Sequence, residues 1–255
     1  MKPTAYKLNT FGEAMKLIHL HIAKTAGTHL NKTFMSNKFY KYYDYCGFKS
    51  RYNYLSPSES SLLIESTSEN SFITSHYFKL NNLCYNDKHH HVSVIRNPVN
   101  RIISEYIYKK LRNKYESGYQ SAASTENFER WLSDEAKLYT KGYGKNNINW
   151  HSNWQSHILE GYDKRKDVTI LRTEYLFEDF KNSRLVSDKL IKFKLRDLFK
   201  FKYLKSNTSE KRDLSLDEER KHIINEYTDM LLAQNKRDYQ LYEEVSLNIK
   251  NQLRK

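Results

Sequence analysis

Three stretches of the chain hold side chains suited to binding anions and moving a proton. His21-Ile-Ala-Lys-Thr-Ala-Gly-Thr28 places one ammonium, two hydroxyls and a glycine among small residues, where the apolar run 17–22 ends. A strand, a small-residue loop and a helix in that order present backbone N–H groups and a helix N-terminus to an anion. Lys24 adds charge, Thr25 and Thr28 add hydroxyl donors, and Gly27 lets the backbone come close. The loop is not a Walker A sequence, because GxxxxGK[ST] is absent. On its own it is equally a plain turn between strand and helix. About 70 residues on, Arg96-Asn-Pro-Val-Asn-Arg-Ile-Ile-Ser-Glu-Tyr106 sets Arg96 at a strand end and Ser104 on the helix that follows. A guanidinium fork and a hydroxyl suit a second phosphate. Between the two lies His76, at the end of Phe72-Ile-Thr-Ser75, where an imidazole could take a proton from a hydroxyl.

Positioning these groups at strand ends requires a sheet. Short β-branched runs predict strands at 17–22, 72–75, 91–96 and 167–172. Helices are predicted over 29–37, 98–115, 125–139, from 174 to 181, from 215 to about 234, and from Asp238 onward. Asn97-Pro98 supplies a cap and a first-turn proline, and Ser215-Leu-Asp-Glu218 matches a capping box. Ile102, Ile103, Tyr106 and Leu111 fall near helical spacing. Residues 40–70, rich in Tyr, Ser and Asn, read as irregular surface with short helical pieces. Strands alternating with helices predict an α/β fold: one domain over 1–255, with a central, mostly parallel sheet flanked by helices.

Composition narrows the function classes. With 38% hydrophobic and 14% aromatic residues the chain is too apolar for disorder. No run approaches the 18 to 20 apolar residues of a membrane span, and the N-terminus has no signal-peptide core. Cys46 and Cys84 are too far apart for a CxxC knuckle and read as free thiols of a reducing compartment. The net charge is +13, and residues 181–212 hold eleven Lys and Arg against three Asp and Glu. That segment is either a solvated helix face, with Leu190, Phe193, Leu195, Leu198 and Phe199 inward, or a surface that steers anions. His89-His-His91 reads as the solvated start of a strand, since adjacent strand residues point in different directions.

The pair of motifs, strand-HIAKTAGT-helix and strand-RNPVNRIISEY, resembles the sulfotransferases that use 3'-phosphoadenosine 5'-phosphosulfate (PAPS). The resemblance is to the carbohydrate branch that includes heparan sulfate 2-O- and 6-O-sulfotransferases and bacterial relatives. Ala23 stands where Pro is usual, and Asn97 where Asp is common. Asn153-Trp-Gln-Ser-His-Ile-Leu-Glu-Gly161 looks like the family's N-x-Q-T-R-x-L-x-G, with His157 in place of Arg. DYQLYE, 238–243, resembles its terminal D-x-x-L-Y-E.

The resemblance implies a P-loop-like loop in which Lys24, Thr25, Ala26, Gly27, Thr28 and His29 bind the 5'-phosphosulfate. It gives Arg96 and Ser104 the 3'-phosphate, and Asn207 and Thr208 a late loop closing over the nucleotide. It makes His76 the general base and Lys24 the group that stabilises the leaving phosphate, with no metal expected. His19 and His21 lie in the strand before the loop, where one orients it and neither is free to act as base, while His151 and His157 fall to the acceptor side. The implied acceptor is a hydroxyl, most naturally of a glycan. With no anchor read in the sequence, the expected location is cytoplasmic, with no nucleic acid as partner; the oligomeric state is open. Two other classes compete: a P-loop phosphotransferase using ATP, which lacks its Walker A and Mg²⁺ signatures, and a basic nucleic-acid-binding protein.

Overall fold

The computed structural model describes residues 15–46, 54–115, 127–133, 152–187 and 214–253. Five strands, β1 Lys16–Leu20, β2 Lys41–Asp44, β3 Ser71–Ser75, β4 His89–Ile95 and β5 Val168–Arg172, form one sheet in the order β2-β3-β1-β4-β5. Every pairing is parallel, with Ile18 opposite Ile73 on one side and His91 on the other. An all-parallel sheet is covered on both faces, so its strands are apolar on both. Leu17, Ile18 and Leu20 are fully buried.

Period-two alternation sorts these side chains into two layers. Ile18, Leu20, Ile73 and Ile95 pack with Trp154, Leu241 and Val245. Leu17, Phe72, Val92 and Leu171 pack with Leu30, Phe34 and Phe180 on the other face. Phe34 and Phe72 stack at 4.2 Å, and burying each such ring contributes about 1.5–3 kcal/mol.

The helices include α1 Gly27–Met35, α2 Pro57–Glu65, α3 Pro98–Tyr115, α4 over 128–133, α5 Trp154–Ile158, α6 Leu176–Asn182, α7 Arg184–Ser187, α8 Leu214–Gln234 and α9 Lys236–Leu253. The Asn97 cap forms as predicted: its Oδ1 accepts from the Val99 and Asn100 N–H groups at 3.1 and 3.3 Å. The third core joins α3, α4 and α8 through Ile102, Ile103, Tyr106, Trp131, Ile223 and Leu231. No described helix is long and apolar enough to cross a membrane.

Three expectations need correction. Residues 40–70 contain an edge strand, β2, where irregular surface is expected; α2 is one of the short helical pieces expected there. β2 has one partner strand, so its part-exposed tyrosines give no alternating apolar signature. α2 carries a capping box, with Ser56 Oγ accepting from the Glu59 N–H and Glu59 Oε2 from the Ser56 N–H. His90 and His91 are buried within β4 rather than solvated: His90 meets Thr169 Oγ1 at 2.8 Å, and His91 meets the Asp167 carboxylate at 2.9 Å. Burial of that tract follows from β4 lying between two strands. α8 begins at Leu214, so Ser215 lies inside the helix and not at its cap.

Candidate active site

β1, β3 and β4 are neighbours in the sheet, and all three run the same way. Their carboxyl ends therefore deliver the loop 23–26, His76 and Arg96 to one edge, where ligands of open α/β sheets bind.

The loop turns through two left-handed residues, Lys24 (φ 65°) and Ala26 (φ 61°). Ala26 is the α1 cap residue and offers no side-chain cap, which leaves the Gly27 and Thr28 N–H groups to a ligand, while the His29 N–H donates to the Ala26 carbonyl at 2.9 Å. Thr25 is buried and donates its hydroxyl to the Ile22 carbonyl at 2.8 Å, so that hydroxyl braces the loop. Thr28, on the first turn of α1, is exposed. His29 is buried, and its carbonyl accepts from Thr33 Oγ1. A Cβ on Gly27 would overlap the His21 ring and stand 3.0 Å from His19 Cε1. The glycine is thus required by the histidine below it.

His19 and His21 support the loop from β1. His19 Nδ1 lies 2.8 Å from Asn31 Oδ1 on α1, and burial holds its pKa down to about 3, keeping the ring neutral. The His21 and His76 rings stack at 4.2 Å. His76 Nδ1 lies 2.6 Å from the His21 carbonyl oxygen. A carbonyl can only accept, so Nδ1 carries the proton, and the Nε2 lone pair of the neutral ring is free to act as a base. Burial pushes the His76 pKa below the ordinary value, against the pull of that hydrogen bond and of Asp44 and Glu105.

Lys24 Nζ rests 3.7 Å from the centre of the Tyr108 ring on α3. Burial holds its pKa down to about 8; Glu105 opposes the shift and Arg96 adds to it. Arg96 Nη1 donates to the Lys24 carbonyl at 3.3 Å, joining the two cationic residues across the sheet edge. Arg96 Nε is buried without a hydrogen-bond acceptor, 3.9 Å from Glu174 Oε1. An unsatisfied buried guanidinium N–H beside an uncapped helix N-terminus fits an anionic ligand. Ser104 is half-buried on α3, two turns beyond Arg96.

The stretches 153–161 and 238–243 carry family-like motifs whose partners no sequence spacing reveals. Gln155 clamps the Arg96 backbone: its Oε1 accepts the Arg96 N–H and its Nε2 donates to the Arg96 carbonyl, both at 2.8 Å. Asp238 is fully buried and accepts from the Gln155 and Ser156 N–H groups at 3.1 and 2.7 Å. One turn along α9, the Tyr242 hydroxyl donates to Glu174 Oε2 at 3.1 Å, and Glu174 Oε1 accepts the Asn97 N–H. The terminal helix therefore supports the Arg96 segment by two routes. His157 stands apart from this network, its ring 5.5 Å from that of Tyr54. His151, Asn207, Thr208 and most of the basic segment 181–212 lie outside the described residues.

A family model described as the Sulfotransferase family matches residues 9–243. The chain belongs to the sulfotransferase family, whose members transfer sulfuryl groups. Among solved structures it is similar to mouse sulfotransferase SULT7A1 complexed with PAP, at 17% identity and a TM-score of 0.46, covering 79% of this chain and 70% of that one. It is also similar to a sulfotransferase from Alicyclobacillus acidocaldarius, at 14% identity and a TM-score of 0.41, covering 91% and 100%. A third is retinol dehydratase in complex with androsterone and the inactive cofactor PAP, at 12% identity and a TM-score of 0.34, covering 94% and 79%. No curated protein matches the chain.

Proposed function

We propose that the protein moves the sulfuryl group of PAPS to a hydroxyl of a carbohydrate acceptor, with His76 as general base. One observation carries this reading. A free imidazole lone pair, an uncapped helix N-terminus with its lysine, and an unsatisfied arginine N–H meet at the carboxyl ends of three adjacent parallel strands. Bound PAPS supplies a sulfuryl group whose leaving group is the nucleotide's 5'-phosphate.

The chain's part is positioning and charge. The N–H groups at the start of α1, with Thr28, hold the phosphosulfate. The Lys24 ammonium meets the charge that builds on the leaving phosphate, a term worth most in a dry site. Arg96 and Ser104 hold the 3'-phosphate. His76 Nε2 takes the acceptor's proton, and the His21 carbonyl then stabilises the imidazolium through Nδ1–H. Part-exposed Tyr45 and Tyr77 flank the ends of β2 and β3 and give an acceptor sugar apolar faces with polar tips. A cytoplasmic setting is supported by two free cysteines.

The test is thermal shift with 3'-phosphoadenosine 5'-phosphate (PAP), AMP, and ATP with Mg²⁺. PAP at 100 times its dissociation constant should stabilise the fold by about 2.7 kcal/mol. A shift with ATP and none with PAP would replace this reading with a phosphotransferase.

A further inference from the structure

The carboxyl ends of β1, β2 and β3 bring His21, Cys46 and His76 together. A ring nitrogen of each histidine and the Cys46 sulfur all lie within 4.8 Å of one another, the one such cluster among the described residues. His21 Nδ1 is already 3.3 Å from Cys46 Sγ. In a tetrahedral zinc site, with Zn–N of about 2.0–2.1 Å and Zn–S of about 2.3 Å, neighbouring ligand atoms stand about 3.3–3.6 Å apart. The His21–Cys46 edge is an N–S edge, for which these bond lengths give about 3.5–3.6 Å, so a few tenths of an ångström of separation and a turn of the part-exposed His76 ring complete the three corners.

We propose that His21, Cys46 and His76 form an inhibitory site for a zinc-class divalent ion, and that filling it switches off His76 as a base. Two imidazoles and a thiolate select borderline-soft ions such as Zn²⁺ over Mg²⁺. On binding, the Cys46 S–H proton passes to solvent, two neutral imidazoles each give a lone pair, and the loaded cluster carries one positive charge. Asp44, whose Oδ1 accepts the Cys46 N–H at 2.8 Å, lies close enough to offset it. Inhibition follows from tautomer bookkeeping. A neutral imidazole has one lone pair, so a metal on either nitrogen of His76 leaves the other nitrogen protonated and unable to accept the acceptor's proton. Three protein ligands leave a fourth position for water.

The inhibitory half rests on the assignment of His76 as base; the metal-binding half does not and is read without turnover, which serves only to test the inhibition. Co²⁺ alone is titrated into the full chain and followed by its thiolate charge-transfer absorption. In parallel, carbethoxylation of His76 by diethyl pyrocarbonate is read by peptide mass spectrometry with and without equimolar Zn²⁺. The expected result is a saturable Co²⁺ band in the wild type and in Cys84→Ser, lost in Cys46→Ser and Cys46→Ala, with Zn²⁺ shielding His76 in the wild type. Loss of the thiolate should weaken binding by at least about 10- to 100-fold, the loss that outer-shell changes alone can cause. No band in the wild type, a band that depends on Cys84, or equal modification of His76 with and without Zn²⁺ would each overturn the proposal. A site that loads and shields His76 while Zn²⁺ leaves PAPS turnover untouched would overturn the inhibitory half and the base assignment together.

Discussion

His76 donates its Nδ1–H to the His21 carbonyl at 2.6 Å and stacks on the His21 ring at 4.2 Å, so one strand-end residue sets both the tautomer and the place of the other. Gly27 packs against the same His21 ring, which a Cβ there would overlap. The anion loop and the base thus share one histidine as their common support.

Gly27→Ala should therefore damage both functions at once. The new methyl must displace the His21 ring, an overpacking cost of about 1–3 kcal/mol. We expect a lower melting temperature, weaker PAP binding and slower transfer together, measured by calorimetry and turnover on one preparation. Loss of PAP binding with unchanged His76 reactivity toward diethyl pyrocarbonate would break this link.

Arg96→Ala should weaken PAP binding by about 1.5–3 kcal/mol, the value of a charged hydrogen bond, and leave AMP nearly unaffected. AMP lacks the 3'-phosphate assigned to Arg96. Equal losses for both nucleotides in isothermal titration would remove the assignment.

Gln155 should behave as a positioning residue for Arg96. Gln155→Leu strips two hydrogen bonds from the Arg96 backbone, and about tenfold weaker PAP binding is expected, with AMP affected less. Gln155→Glu keeps the acceptor for the Arg96 N–H and should fall between. An equal drop for PAP and AMP would make Gln155 merely structural.

Much of this arrangement is legible in the sequence because local rules decide it. Asn97-Pro98 sets the start of α3, and the apolar runs before Lys24, His76 and Arg96 set the strand ends that carry them. What the sequence hides depends on distant partners. β2 escapes notice because an edge strand half-covered by tyrosines lacks a clear period. The buried His90 and His91 look polar until Thr169 and Asp167 are seen beside them. Gln155, Glu174, Asp238 and Tyr242 sit 59 to 83 positions from the residues they bond, and some act through a second residue, so no spacing rule reveals them. The Ser56–Glu59 capping box was visible all along in Ser-Pro-Ser-Glu.

Lys24 sets a pH dependence on nucleotide binding. With its pKa held to about 8 in the free protein, Lys24 is charged below that value and affinity is flat in its regard. An anionic ligand favours the ammonium and raises the pKa in the complex. Above pH 8, binding must then take up a proton, and PAP affinity should fall by up to about tenfold per pH unit. Calorimetry at pH 8.5 in buffers of different ionisation heat should show proton uptake by the wild type and none by Lys24→Met. Uptake unchanged in Lys24→Met would assign the titration elsewhere.

The most direct test of the central claim is sulfuryl transfer from PAPS to a panel of neutral and acidic oligosaccharides by the wild type and His76→Ala, with PAP affinity and melting temperature measured on the same samples. The account predicts a variant that folds and binds PAP as the wild type does but transfers about 10²–10⁴-fold more slowly. A folded His76→Ala protein that transfers at the wild-type rate would contradict it.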